Sequence, residues 1–485
     1  MTRTSDAEAP KAPRRWGRWI AFSILGLVVL AIGGHAFWGW REEKKLREDL
    51  RELWAKGEPM DIEEFKVEPV PLWDNQAAWL KEAGDLIDER TDSFDRLMQE
   101  KIGFPLSQEQ MELVGRVVAE NQKALGKLRR VKDQKGVDWG INLTRSSIFS
   151  SPQALLDMQK NLSVLAGAKM IYEHQKGNDR EAIALAMDLL IQCEAMDRMP
   201  NGLATHLASS GVGELGSETL QQVVPEMKIG TGSGEVTPAD MRKLIDRLLN
   251  DSELKSGLKR ALQFERAAQV LAARTMYQMD ESGRVGPGQN SQASTPILGY
   301  LAKPLFLRDG RLMLRNVTEI MSASEADSLP AFNARAKESF ARMSHVRESP
   351  KLHMLAVILT PPYEPVVKRT YRAITSRRLA AVALAARWHF LERGRWPKNL
   401  EELVPNYLPA VPLDAMGEHK NIGYVAEEER PRVYSVGENL TDEGGSDKPL
   451  PKKVYNVGTY RWWDEDAVVD LKRQKRTSVE ESEKE

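Results

Sequence analysis

The sequence predicts a mainly α protein in three parts. These are an N-terminal transmembrane helix, an irregular multi-helix extracytoplasmic domain, and a small α+β C-terminal module with a short antiparallel sheet. Three observations carry this reading. An uncharged apolar run spans Trp19 to Trp40. Apolar residues then recur at helical spacing over residues 76–361. After Gly394, prolines and two short β-type runs replace that periodicity. The expected divisions are a basic cytoplasmic tail (1–18), the span (19–40), a stalk and linker (41–75), the helical domain (76–361), the C-terminal module (366–470) and a charged, disordered tail (471–485).

The chain of 485 residues is long enough for several domains, and 41% hydrophobic with 29% charged residues is a globular balance. A net charge of -1 gives no electrostatic footprint for nucleic acid. Cys193 is the only cysteine, which excludes an intrachain disulfide and a cysteine-built zinc site.

WIAFSILGLVVLAIGGHAFWGW is long enough to cross a hydrocarbon core as a helix. Trp16, Trp19, Trp38 and Trp40 flank it, where indole rings favour the interface. Arg3, Lys11, Arg14, Arg15 and Arg18 precede it against Asp6 and Glu8, and REEKKLRED after it mixes both signs. The positive-inside rule keeps the N-terminus in the cytoplasm and exports the rest. The alternative is a cleaved signal peptide, with Gly34 and Ala36 near the cleavage site; the apolar run exceeds a usual signal core. Leu46, Leu50 and Leu53 continue the helix outward as a stalk, and Pro59, Pro69 and Pro71 mark an extended linker.

Within the helical domain the clearest unit is a hairpin. Leu155, Leu162, Leu165 and Tyr172 line its first helix, Gly177 ends it, and Asn178 with Glu181 forms a capping-box-like start for the second. Ile183, Met187, Leu190 and Cys193 mark one apolar face, so Cys193 reads as a packed thiol. The hairpin loosely resembles a tetratricopeptide unit, without a period elsewhere. KIGTGSGEVTP reads as a mobile connector ending in Thr237, which caps a helix from Pro238; it lacks the Lys-Ser/Thr of a phosphate loop. SGRVGPGQNSQASTP is a polar, disordered excursion. A helix over 254–279 places Ala261, Phe264, Ala268 and Leu271 on one face, with Glu265 beside it as an ion-pair partner or a functional acid. The last long helix, 366–393, carries Leu379, Val382, Ala383, Ala386 and Phe390 as its stripe. His389 near its end is either dipole-stabilised or exposed.

Beyond Gly394, Asn399 with Glu402 caps a short turn that Pro405 stops, and Pro409 and Pro412 hold the chain extended to Asp414. Ile422–Ala426 and Val433–Val436 read as strands joined by EEERP, with Tyr460, Trp462 and Trp463 closing the sheet. GENLTDEGGSD is an acidic, glycine-rich loop.

Gly394-Arg395-Trp396-Pro397, Tyr407-Leu408, Pro412-Leu413-Asp414 and Tyr434-Ser435-Val436-Gly437 occur in that order over about a fifth of the chain. This pattern resembles the soluble domain of the major (G-type) pseudopilin of type II secretion. The resemblance implies a pseudopilin-like fold for the module and a calcium ion in its acidic loop. By position the ligands would be the Val436 carbonyl and the side chains of Asn439, Asp442 and Asp447. Asn439 stands where that family carries an acidic residue, and the pseudopilin leader and Phe-Thr-Leu start are absent before Trp19. The whole layout resembles a group of bacterial single-pass membrane proteins without an assigned activity.

The expected function is therefore that of an anchored protein of the bacterial cytoplasmic (inner) membrane. It would have a structural or protein-interaction role, with envelope or secretion proteins as partners. The alternative is an extracytoplasmic hydrolase with an unrecognised site in the helical domain. No HExxH, GxSxG or Walker pattern supports a reaction, and His345 and His353 are poorly spaced for a metal. A small-ligand sensor ranks last, because only about 18 residues precede the span.

Overall fold

The computed structural model describes residues 16–89, 91–143, 152–200, 202–277, 296–446, 462 and 465–473. Helices follow in the order α1 (Trp16–Ala55), α2 (Gln76–Asp85), α3 (Asp92–Gln99), α4 (Gln108–Glu120), α5 (Gln122–Arg130), α6 (Gln153–Gln175), α7 (Asp179–Asp197), α8 (Leu203–Val223), α9 (Pro238–Leu248), α10 (Ser252–Tyr277), α11 (Pro296–Ala323), α12 (Leu329–Glu348), α13 (Met354–Leu359) and α14 (Tyr363–Arg393). Three strands, β1 (Gly423–Val425), β2 (Arg432–Ser435) and β3 (Ala467–Asp470), complete the chain. The chain forms two compact units. One draws on Met1–Glu58, Ala272–Leu314 and Val346–Thr360, the other on Pro59–Leu271, Arg315–His345 and Pro361–Glu485.

In the first unit α1 is one unbroken helix. Ile20, Phe22, Leu25 and Val29 are all more than half exposed. So much bare apolar surface marks a contact with another apolar phase, a membrane or a protein. The helix is long and apolar enough to cross a membrane. Its C-terminal half changes character. Leu46, Leu50 and Leu53 continue the helix but are buried, and α11 packs beside it, so this part is no bare stalk. Lys303 pairs with Glu43 at 3.0 Å and Arg311 with Asp49 at 2.7 Å. Asp309 on α11 meets His353 Nδ1 at 3.0 Å, next to α13.

In the second unit the core lies between α6, α7, α8 and α14. Leu379 through Ala386 are buried without interruption, so this part of α14 is apolar all round and wrapped by other helices. Small residues let α8 come close. A Cβ on Gly213 would stand 3.1 Å from Cys193 Sγ and from Arg377 Nη2. Trp139, fully buried, donates from Nε1 to the Ala195 carbonyl at 2.8 Å. Cys193 is in the core as expected, and burial pushes its thiol up to about 12.

Two expectations about loops change. The Asn178 side chain caps nothing on α7; it donates to Glu173 at 2.9 Å, and Glu181 pairs with Arg129 and Lys169 instead. The α7 N-terminus is satisfied by the glycine-rich loop, whose Gly234 carbonyl accepts from Arg180 N–H at 2.9 Å. That loop is thus a held turn, closed by an Ile229–Val236 bridge and by Glu235 accepting from Gly232 N–H. Thr237 does cap α9, accepting from Asp240 N–H. The excursion over 282–295 lies outside the described residues.

Gly394 closes α14 in the left-handed region (φ 68°), and Trp396 stacks on Phe390 at 4.4 Å. β1 and β2 pair antiparallel across the EEERP turn, with Tyr424 opposite Val433. The third strand is β3, which pairs with β2 antiparallel. The expected aromatic closure is corrected in part: Trp462 is a buried core side chain, while Tyr460 and Trp463 lie outside the described residues. Burial alternates along Ala467–Asp470, but the sequence there does not alternate and has acidic neighbours, so the strand was not read from it.

Candidate functional sites

The expected calcium loop sits at the end of β2. Asp414 organises it. Its buried carboxylate accepts from Met416 N–H (2.9 Å), Ser435 Oγ (2.8 Å) and Val436 N–H (3.0 Å). The Pro-Leu-Asp and Tyr-Ser-x-Gly steps therefore touch. Burial raises the Asp414 pKa despite these three donors. Val436 is buried beside it. Asn439 donates to Glu443 at 2.9 Å and accepts from Thr441 N–H at 2.9 Å. Asp442 faces Lys420 (3.1 Å) and Tyr434 Oη (3.2 Å). Burial opposes its ionisation, and Lys420, Gly444 N–H and Tyr434 outweigh it, so the carboxyl lies below its ordinary value. Asp447 lies outside the described residues.

The loop instead brings Glu443 to Asp466, which sequence reading left out. Asp466 accepts from Gly445 N–H at 2.7 Å. Burial pushes Asp466 up to about 7, with the facing Glu443 adding to the shift. Among the described residues, Glu443 Oε2 and Asp466 Oδ1 are buried with no hydrogen-bond partner in good geometry. Two facing carboxylates satisfy such oxygens by sharing one proton or one cation. Asn439, Glu443 and Asp466 are the oxygen-bearing side chains that meet there. Asp466 was missed because it is distant from the loop in sequence, one residue before β3.

A second site is an open groove of about 840 Å³ along β3. Phe104, Pro105, Gln221, Gln222 and Pro225 line one wall, and Val468 to Asp470 the other. Arg473 lies 4.8 Å over the Phe104 ring and pairs with Glu226 at 2.8 Å. Glu218, also in the wall, is pushed up to about 7 by burial first and by Glu214 second. Among the described residues β3 is hydrogen-bonded to β2 only.

The third site is a buried chain between α7, α8 and α14. Asp197 Oδ1 meets His206 Nδ1 at 2.9 Å, and His206 Nε2 meets Thr370 Oγ1 at 2.8 Å. Ser209 also donates to Asp197, and Thr370 donates to the Val366 carbonyl at 3.1 Å. Asp197 and His206 border a cavity of about 280 Å³ with Thr205, Gly257 and Arg260. The sequence signal is an Asp and a His flanking the Met199-Pro200-Asn201-Gly202 helix break.

Glu265 belongs to none of these. It accepts from Leu203 N–H at 3.2 Å and so caps α8, whose N-cap Gly202 has no side chain to do it. His389 is buried, with Nδ1 toward the Arg395 carbonyl at 3.2 Å, and burial lowers its pKa. No group of three or more metal-binding His, Cys, Asp or Glu occurs among the described residues. Comparison with protein-family models, with curated proteins and with solved structures found no match.

Proposed function

We propose that this chain is a membrane-anchored docking protein of the bacterial inner membrane, with its N-terminus in the cytoplasm and its body outside. The observation that carries the reading is the groove along β3. With β2 its one strand neighbour among the described residues, β3 offers backbone donors and acceptors to an extended segment of a partner protein. The apolar wall of Phe104, Pro105 and Pro225 offers pockets for alternate side chains, and Glu218 and Arg473 fix polarity. The occupant is an extended segment of an envelope or secretion protein. Calcium, the ion brought by the pseudopilin resemblance, would be held by Asn439, Glu443 and Asp466, and it would neutralise a buried pair of carboxylates.

The test is photo-crosslinking in intact cells, with a photoreactive residue at exposed Gln222 in the groove wall and a control at exposed Lys398. A discrete adduct with another envelope protein at Gln222 alone supports docking. Adducts at neither position, or equally at both, reject it.

A hydrolase with its site in the helical unit is the second reading, favoured by the Asp197–His206–Thr370 chain, whose Asp197 and His206 border a cavity while Thr370 is buried and does not line it. There Thr370 would be the nucleophile and His206 its base. The Thr370 proton would have to leave Val366 for His206. Ester hydrolysis lost in both His206→Ala and Thr370→Val would favour it; equal turnover in both variants and the parent would end it.

A further inference from the structure

The first unit carries an apolar patch that its own packing does not cover. Leu352, Met354 and Ile358 are 55%, 52% and 70% exposed, at and just before α13. This short segment is tied to α11. Arg308 donates to the Leu352 carbonyl, and Asp309 holds His353. α11 is in turn fixed against α1 at a known height. A Cβ on buried Gly39 would lie 3.7 Å from Pro304 Cγ, and Lys303 reaches Glu43. Gly39 is one residue from Trp40, the outer edge of the span.

Arg308 is four residues beyond Pro304, a rise of about 6 Å along α11. The polar layer of a bilayer extends about 5–8 Å beyond its hydrocarbon core. The contacts therefore set the patch at the depth of the headgroups, on the side where α1 leaves the membrane. Exposed Arg347 and Lys351 beside it suit anionic headgroups, with Glu348 the one acid among them.

We infer that Leu352, Met354 and Ile358 form a second membrane contact, immersed in the headgroup–acyl boundary of the bilayer that α1 crosses. This rests on α1 being a membrane anchor. A six-residue helix binds lipid weakly alone; beside a spanning helix it needs only to seat a unit already held there. The contact would fix the tilt of the unit on the membrane surface.

Single-cysteine labelling tests it in the full-length protein, because Cys193 is buried and its thiol is pushed up. An environment-sensitive fluorophore is placed at Ile358→Cys, Met354→Cys, Phe22→Cys in the span and Lys56→Cys past the end of α1. The proteins are reconstituted in phosphatidylcholine–phosphatidylglycerol vesicles with lipids spin-labelled at shallow or deep acyl positions. Shallow spin labels should quench the 358 and 354 fluorophores, deep ones the fluorophore at 22, and neither the one at 56. Quenching at 22 alone, with 354 and 358 open to aqueous iodide, would overturn the inference and leave the anchor standing. No quenching at 22 would overturn the anchor and the inference together.

Discussion

Asp466→Asn should stabilise the protein at pH 8 without calcium. The Asp466 carboxyl is pushed from 3.8 up to about 7 in the fold. A raised acid holds a proton in the folded state that the unfolded chain has already lost. Stability is thus full below about pH 4, falls through the window between about 4 and 7, and stays low above it. The gap of about three pH units sets an upper bound of about 4 kcal/mol, which solvent screening and the sharing of charge with Glu443 reduce. Asparagine keeps an acceptor for Gly445 N–H, removes the charge facing Glu443, and can donate to the buried Glu443 Oε2. Allowing for relaxation, the gain at pH 8 should be about 2–3 kcal/mol. The assay is hydrogen exchange of the Gly445 amide in the full chain, from pH 5 to 8, in EDTA and in millimolar calcium. In the parent, protection corrected for intrinsic exchange should fall with pH in EDTA and recover with calcium. In Asp466→Asn it should be high, flat and insensitive to calcium. Lower protection in the variant at pH 8, or the same pH slope in both proteins, would refute the facing-carboxylate account.

His206→Ala leaves the buried Asp197 carboxylate without its imidazole and should cost about 3–5 kcal/mol by urea unfolding, whereas Thr370→Val should cost about 1 kcal/mol. Gly234→Ala should cost about 1–3 kcal/mol, because φ is 82° and a Cβ would stand 2.6 Å from the Gly177 carbonyl; equal urea midpoints would show that the turn does not hold α7. The Cys193 thiol should react with a disulfide reagent only at the rate of unfolding, and fast modification of the native protein would contradict its burial. Glu265 is held above its ordinary pKa, chiefly by burial, so Glu265→Gln should keep the α8 cap and remove a loss of stability that sets in as pH rises above the ordinary glutamate range.

The helices were legible where one period repeats for several turns. The α14 stripe and the α6–α7 pair follow from local spacing alone, as does the Thr237 cap of α9. What failed was any feature whose partner is distant in sequence. The capping box expected at Asn178 lost to a carbonyl from Gly234, because a tertiary contact had already satisfied the helix end. Glu265 looked like an ion-pair residue, yet its partner is a bare N–H on another helix. At the loop, Asn439 and Asp442 were chosen by proximity in sequence. Lys420 takes Asp442 from a preceding turn, and Asp466 arrives from the far side of the loop. Carboxylate chemistry could be read in the composition of the loop, but the identity of the facing pair could not.

The small sheet is chained to the helical core by charge. Glu438, next to Gly437, meets Lys368 at 3.7 Å and Arg372 at 3.6 Å. Arg372 also holds Glu214 of α8 at 3.0 Å, as Arg369 does. Glu214 and Glu438 are both largely buried, so these pairs are screened little by salt. Arg378 adds a second tie, from Asp251 to the Leu413 carbonyl at 2.6 Å. Opening the sheet from α14 would break both Glu438 pairs, while Glu214 would keep Arg369 and Arg372. The sheet therefore moves with α8 and α14. The groove is walled by α8 residues on one side and β3 on the other, so whatever orders the Glu443–Asp466 loop also firms a wall of the groove. On the proposed function, an ion at the loop and a segment in the groove would be linked, and linkage would make the effect of each on the other equal in free energy.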